Sequence, residues 1–370
     1  MRSLIFTDMS STGGTGTYIK NLLTIHFQNN IETTLCSDIF DLNDSMQKII
    51  SETNTQLIKL KERTSLFKKS YFSLFYELFY YYPIIRKYNS DLLIISTANP
   101  GWCFSFFFLK VPCIYILHTP VYKTTFKNKL MFLIPKYFTN KTKIFYAVSK
   151  YVKNSIINNW HVNEKFTNII YNPYKIYPKI QSDLIYKNRK KIILTLGHVV
   201  DYKNPFLWIK IAEKITELNN EVEFYWLGQG ELLGHCQELT KNNNRINFLG
   251  YIENVEDFYK DAYLYLQPSI KESLGISVID AMQFSLPCII SDAEGLPETV
   301  EDTISGFVVR SKDANGYVDK ILTLLNDEAK RVLIGKNANE RANQLFKPIS
   351  QKQSILNLYQ KVTNNIFKFN

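Results

Sequence analysis

Acidic side chains are missing from one long stretch of this chain. None occurs between Asp91 and Glu164, while nine lysines do. Residues 1–182 carry 22 Lys and Arg against 10 Asp and Glu, whereas residues 183–370 carry 22 against 24. The first half thus carries +12 and the second −2 of the net +10, which points to an anionic partner for the first half. Cysteine is sparse and scattered: Cys36, Cys103, Cys113, Cys236 and Cys288 include no pair at metal-ligand spacing. That excludes a disulfide framework and a zinc site as organising devices, and a reducing compartment is expected. No run of about 20 apolar residues occurs, so no spanning helix is expected. Residues 71–85 are broken by Glu77 and Pro83, and residues 102–117 by Lys110 and Pro112. Arg2 is followed by only a short apolar run before Asp8, so no secretory leader is expected. Internal repeats and low-complexity tracts are also lacking.

What remains is a globular composition: 45% hydrophobic, 21% charged and 14% aromatic over 370 residues. A single core rarely grows past about 250–300 residues, so two domains are expected. The first opens with a strand at 3–7, a Gly-rich turn at 11–17 and a helix from Tyr18 to about Phe27. Apolar β-branched runs follow at 92–96, 113–117, 143–148 and 167–170, with helical segments between them. Residues 174–188 read as a linker. The second domain restarts with a strand at 191–196 and alternates helix and strand to Val309, then closes with helices at 314–326, 328–345 and 349–366. The predicted fold class is α/β: two Rossmann-like doubly wound domains, 1–182 and 183–370, facing across a cleft, with the last helix packing back on the first domain. Ligands of such sheets bind beyond the strand C-termini.

Residues 271–287 carry the densest chemical signal. An acid, Glu272, and a glycine, Gly275, sit on the loop after an apolar strand, and Asp280 follows two helical turns on. The helix expected from Leu274 aims its free N–H groups at that loop, where they favour phosphate. A carboxylate beside them can accept two hydroxyl hydrogen bonds and hold a sugar ring. The arrangement suits a sugar joined to a nucleoside diphosphate.

These residues resemble the family 4 retaining glycosyltransferases of GT-B architecture. Glu272-Ser273-Leu274-Gly275-Ile276 through Asp280-Ala281 and Pro287 follows that family's Glu, seven residues, Glu pattern, with Asp in the second place. Leu227-Gly228-Gln229-Gly230, Gly250, Pro268-Ser269, residues 291–298 and Gly306-Phe307 are similar to it too. The resemblance implies that Glu272 meets donor-sugar hydroxyls, that Ser273, Leu274, Gly275 and Ile276 offer backbone N–H groups to the diphosphate, and that Asp280 meets the ribose. Gly197-His198 and Lys203 occupy the place of a Gly-Arg and Lys pair that binds diphosphate. His198 departs from the family there and lacks the arginine fork, so Lys203 is expected to carry more of the charge. Gly228 belongs to the same donor side. Gly13, Gly14, Thr15 and Gly16 match an acceptor-side loop, and His118 at a strand end matches a histidine beside the reaction centre. A structural role is the alternative for a lone histidine or lysine in such places, and a tight turn without ligand for the glycine cluster.

The implied reaction is sugar transfer to an acceptor hydroxyl with retention at the anomeric carbon. Catalysis is expected from Glu272, Lys203 and His118, without cofactor or metal; no Asp-x-Asp occurs. Bacterial surface polysaccharide assembly (lipopolysaccharide, O-antigen or capsule) on a lipid-linked saccharide is the implied setting. The basic, aromatic segments 63–72 and 122–138 would then dock on an anionic membrane surface, giving a cytoplasmic, peripheral enzyme. A nucleotide-sugar epimerase on the same scaffold remains an alternative, as does a basic nucleic-acid-binding protein, although no nucleic-acid motif is present.

Overall fold

The computed structural model describes residues 1–8, 13–37, 42–61, 72–99, 101–122, 133–173 and 189–364. The expected linker at 174–188 lies outside them. By their internal contacts the residues fall into two units, Met1–Asn172 with Ile349–Asn370, and Pro173–Pro348.

The first unit runs β1 (Arg2–Thr7), α1 (Gly13–Gln28), β2 (Glu32–Ser37), α2 (Asp44–Glu52), β3 (Gln56–Lys59), α3 (Phe72–Tyr88) and β4 (Leu92–Thr97). A 3-10 helix (Phe104–Phe108), β5 (Cys113–Leu117), α4 (Leu133–Phe138), β6 (Lys143–Ala147), α5 (Lys150–Trp160) and β7 (Thr167–Ile169) follow. The seven strands are all parallel, in the order β3-β2-β1-β4-β5-β6-β7. A parallel sheet is covered on both faces, and strand residues alternate between them. Leu4, Phe6, Leu93, Ile95, Cys113, Tyr115 and Phe145 join one buried cluster with Tyr81, Trp102, Phe106 and Trp160. Their neighbours Ile5, Leu92, Ile94, Ile114 and Ile144 join another with α1 and the closing helix of the chain, Pro348–Val362. His26 in α1 ties that helix down: its Nε2 lies 2.8 Å from the Tyr359 hydroxyl, and Nδ1 lies 2.8 Å from Thr33 Oγ1. Burial lowers the His26 pKa to about 3, so the ring is neutral.

Two features of this unit differ from the sequence expectation. Helix α1 begins at Gly13, so Gly13, Gly14, Thr15 and Gly16 form its first turn rather than a loop. Glycine disfavours helix interiors by about 1 kcal/mol, yet here a buried face farther along, Tyr18, Ile19, Leu22 and Leu23, holds the helix against the sheet. Strands β2 and β3 were not expected; parallel pairing with β1 recruits them.

The 3-10 helix is fixed at both ends by buried charge. At its start the Glu77 carboxylate accepts from the N–H groups of Cys103 (2.9 Å) and Ser105 (3.3 Å) and from the Ser105 hydroxyl (2.9 Å). Beyond its end the Lys143 ammonium donates to the carbonyls of Phe106 and Leu109. Each charge is opposite in sign to the helix end that it meets.

The second unit runs β8 (Ile192–Leu196), α6 (Pro205–Leu218), β9 (Glu223–Leu227), α7 (Leu233–Thr240), β10 (Ile246–Gly250), α8 (Glu256–Asp261) and β11 (Leu264–Gln267). It continues with α9 (Ile276–Gln283), β12 (Cys288–Ser291), β13 (Gly306–Val309), α10 (Ala314–Asn326) and α11 (Glu328–Leu345); the closing helix is α12. The parallel strands are ordered β10-β9-β8-β11-β12-β13. The order reverses between β8 and β11, and ligands of such a sheet usually lie beyond the strand C-termini at that reversal. Trp208 of α6, stacked edge-on against Phe224, Trp226 and Phe248, anchors one face.

Candidate active site

Two loops meet at the reversal of the second sheet. The one after β8 carries Gly197, at φ +148°, beside Gly228, also at φ +148°. A Cβ on Gly228 would stand 2.0 Å from the Gly197 carbonyl oxygen, so only glycine allows this approach. Backbone bonds zip the two segments: Gly197 N–H donates to Leu227 O (3.0 Å) and Val199 N–H to Gln229 O (2.8 Å). The first loop ends in a single 3-10 turn, Asp201–Lys203, and Asn204 then donates from Nδ2 to the carbonyls of Pro268 (3.1 Å) and Ser311 (3.3 Å). Lys203 folds back over Gly197, its Cε 3.6 Å from where a Cβ at 197 would be.

The loop after β11 is pinned to the first through Tyr202, whose carbonyl accepts from Ile270 N–H at 2.8 Å. It is pinned on its other side by Glu294, which accepts from Glu272 N–H at 3.0 Å, while Gly295 N–H donates to Glu272 O at 2.9 Å. Held this way, the Glu272 carboxylate forms an ion pair with the Lys203 ammonium. Their side chains are 13% and 17% exposed for Lys203 and Glu272, so the pair is largely shielded yet reachable from solvent. Gly275, at φ +96°, packs where a Cβ would lie 2.5 Å from Leu296 Cδ1, and it precedes α9 without supplying a side-chain cap. Beneath the loops runs a buried polar ladder. The Tyr265 hydroxyl lies 2.9 Å from Gln267 Oε1, Gln267 Nε2 donates to Ser269 Oγ (2.8 Å), and Ser291 Oγ donates to Ser269 O (2.6 Å). A satisfied network of this kind rigidifies what stands on it.

Lys203, Glu272, Gly197, Gly228 and Gly275 thus converge within the second unit. Leu274 is buried, Ser273 and Ile276 are half-buried at the start of α9, and His198 is exposed on the Gly197 loop. Asp280 is half-buried on α9, accepting from Gln283 Nε2 at 3.4 Å. In the first unit His118 follows β5. It is 4% exposed, its Nε2 is 3.0 Å from Ser96 Oγ, and its ring lies edge-on to Tyr18 at 5.0 Å. Burial lowers its pKa to about 3, so it carries no charge near neutrality, and its buried Nδ1 has no protein partner. Ser149 has a plain structural use: its Oγ caps α5 by accepting from Val152 N–H at 3.1 Å.

Two sequence profiles together cover nearly the whole chain. The one described as Glycosyltransferase Family 4 matches residues 12–176, and the one described as Glycosyl transferases group 1 matches residues 178–341. The chain belongs to the family 4 glycosyltransferases. Among curated relatives of this glycosyltransferase, the N,N'-diacetylbacillosaminyl-diphospho-undecaprenol alpha-1,3-N-acetylgalactosaminyltransferase of Campylobacter jejuni is 27% identical over 191 residues, 50% of each chain. The UDP-Gal:alpha-D-GlcNAc-diphosphoundecaprenol alpha-1,3-galactosyltransferase of Escherichia coli is 23% identical over 179 residues, 47% of this chain and 46% of that one. The matched span is thus about half the length of these relatives. Of solved structures, a glycosyltransferase from Rickettsia africae superposes with TM-score 0.78 at 17% identity, covering 98% of this chain and 99% of that one. Anabaena HepE in complex with UDP gives 0.75 at 17%, covering 96% and 98%. At such identities these likenesses establish the GT-B fold.

Three residues of this glycosyltransferase that support the site were not singled out as site residues from sequence: Glu294, Tyr202 and Asn204. Tyr202 and Asn204 flank Lys203 and Glu294 stands among residues 291–298, and the bond of Glu294 to the Glu272 N–H joins segments 22 residues apart. Among the described residues no group of three His, Cys, Asp or Glu is placed to hold a metal ion, and no helix is long and apolar enough to cross a membrane. Of the two basic segments assigned to membrane docking, residues 63–71 and 123–132 lie outside the described residues.

Proposed function

We propose that this chain transfers a sugar from a nucleoside-diphosphate sugar to a hydroxyl of a lipid-linked saccharide, with retention at the anomeric carbon, in bacterial surface polysaccharide assembly at the cytoplasmic face of the membrane. The observation that carries the reading is the shielded Lys203–Glu272 pair at the reversal of the second sheet, beside the uncapped start of α9. A cation and helix N–H groups match a diphosphate; a carboxylate matches sugar hydroxyls. The named substrates of the two relatives above, which carry undecaprenol diphosphate, support the acceptor class.

In this mechanism the bond between the anomeric carbon and the diphosphate oxygen breaks, and negative charge grows on the leaving group. Lys203 and the first N–H groups of α9 stabilise that charge, in the role a metal ion plays elsewhere. Glu272 fixes the ring so that the acceptor oxygen attacks the face the diphosphate leaves, and the acceptor proton passes to a diphosphate oxygen. No protein general base is needed. Asp280 is assigned to the ribose. His118, held neutral, contributes hydrogen bonding rather than charge.

The test is a thermal-shift and calorimetric screen against UDP-, GDP-, ADP- and CMP-sugars. One class of donor should raise the melting temperature, because a ligand at about 100 times its Kd adds about 2.7 kcal/mol to stability. If none binds, the assignment fails.

A further inference from the structure

Helix α3 turns large aromatic side chains toward solvent. Phe75, Phe79 and Tyr82, spaced to share one helical face, are 62%, 82% and 48% exposed. Lone exposed apolar residues are ordinary, but a contiguous exposed face marks an interaction surface. The 3-10 helix packed against α3 exposes Phe108, which meets Phe138 of α4 edge-on at 4.8 Å; Tyr137 is 67% exposed. Cations lie on the same elements or just after them: Arg86 and Lys87 end α3, Lys110 follows the 3-10 helix, Lys136 is in α4 and Lys141 follows it, all exposed.

Carboxylates are scarce in the segment that forms these elements. Between residues 72 and 141 the chain has two acids. Glu77 is fully buried and bonded to the 3-10 helix, and Asp91 is half-buried and accepts from Arg2 N–H at 2.7 Å. An α3 acid turned inward leaves an outward face of aromatic rings rimmed by positive charge.

We propose that the α3 face, with the 3-10 helix and α4 beside it, is a docking surface for an anionic lipid bilayer. Phenyl and phenol rings enter the interfacial zone of a bilayer, and each nearby Lys or Arg is drawn by the anionic leaflet. A second copy of this chain is a poorer occupant, because a two-fold contact would set this cationic rim against itself. This surface lies in the first unit alone and is independent of the donor assignment, which the nucleotide screen decides separately.

The experiment is flotation of the full chain with phosphatidylcholine vesicles, with and without phosphatidylglycerol, at low and moderate salt. Wild type should float with the anionic vesicles and lose binding as salt rises. The F75S/F79S variant should partition at least about 10-fold less, from lost apolar insertion. K136E/K141E should abolish the preference for anionic vesicles. Both variants should keep the wild-type melting temperature and nucleotide binding, since all four side chains are exposed. Three results would each overturn the proposal: wild type failing to bind anionic vesicles, both variants floating like wild type, or a self-association by analytical ultracentrifugation that F75S/F79S removes.

Discussion

Replacing Glu272 with Gln should separate the intact donor from the spent nucleotide. A sugar-free nucleoside diphosphate that takes Lys203 must draw it from Glu272 and then face the abandoned carboxylate, with no sugar hydroxyl to occupy it. Two unit charges about 6 Å apart at an effective dielectric of about 20 interact by about 2.8 kcal/mol. With side chains 13% and 17% exposed, relaxation and solvent cut this roughly in half. Glu272→Gln keeps the shape and removes the charge, so nucleoside diphosphate should bind about 10-fold tighter, at 1.4 kcal/mol per decade. The intact donor gains the same relief but exchanges hydrogen bonds to a charged group, about 1.5–3 kcal/mol, for neutral ones of about 0.5–1.5. Its affinity should stay within a few-fold, while turnover falls about 100-fold because the ring is less well held. Isothermal titration of each ligand into both proteins reads the difference. Equal or weaker nucleoside-diphosphate binding by the variant would refute the reasoning, and with it the idea that Glu272 reclaims Lys203 to expel product.

Lys203→Met should lower kcat/KM at least about 100-fold, as loss of an electrostatic stabiliser does, with a nearly unchanged melting temperature; unchanged steady-state turnover would remove Lys203 from the mechanism. Gly228→Ala places a methyl 2.0 Å from the Gly197 carbonyl at φ +148°, which should cost about 2–4 kcal/mol and appear as a drop of several degrees in thermal unfolding. His26 and His118, both lowered to about 3 by burial, stay neutral in the folded chain while the unfolded chain protonates them near 6.5. Stability from these two is therefore full above about pH 6.5 and is lost as pH falls toward 3, by up to about 1.4 kcal/mol per pH unit for each. Melting temperature against pH should show this, and His118→Asn should flatten the slope by one proton's worth.

Most elements of the second unit are legible in its sequence because their ends are marked locally. Helix α6 starts on Pro205, and α10 and α11 start after Asp313 and Asp327, whose side chains accept from Gly316 and Lys330 N–H groups. The first unit is less legible. The cluster Gly13, Gly14 and Gly16 has the composition of a turn, and only docking of the α1 apolar face makes it helical. Strands β2 and β3 lack a strong apolar run and are fixed by pairing with neighbours distant in the chain. The same divide applies to the site. Lys203 and Glu272 are recognisable as residue types, but their pairing depends on β8 lying beside β11, a fact of topology that no local pattern contains. Glu294 is the clearest case, since its use at the Glu272 N–H is fixed by where β12 ends.

The return of α12 to the first unit has a consequence for biosynthesis. Ile355, Leu356, Leu358, Tyr359 and Val362 cover a layer shared with α1, yet they leave the ribosome only after all of the second unit. Chains emerge N-terminus first, and domains fold as they emerge. The unit begun first is therefore completed last, and until then an oily patch around His26 and Leu22 stands bare. For this enzyme, the nascent chain's exposure to chaperones is set by the delay in translating a single distant helix.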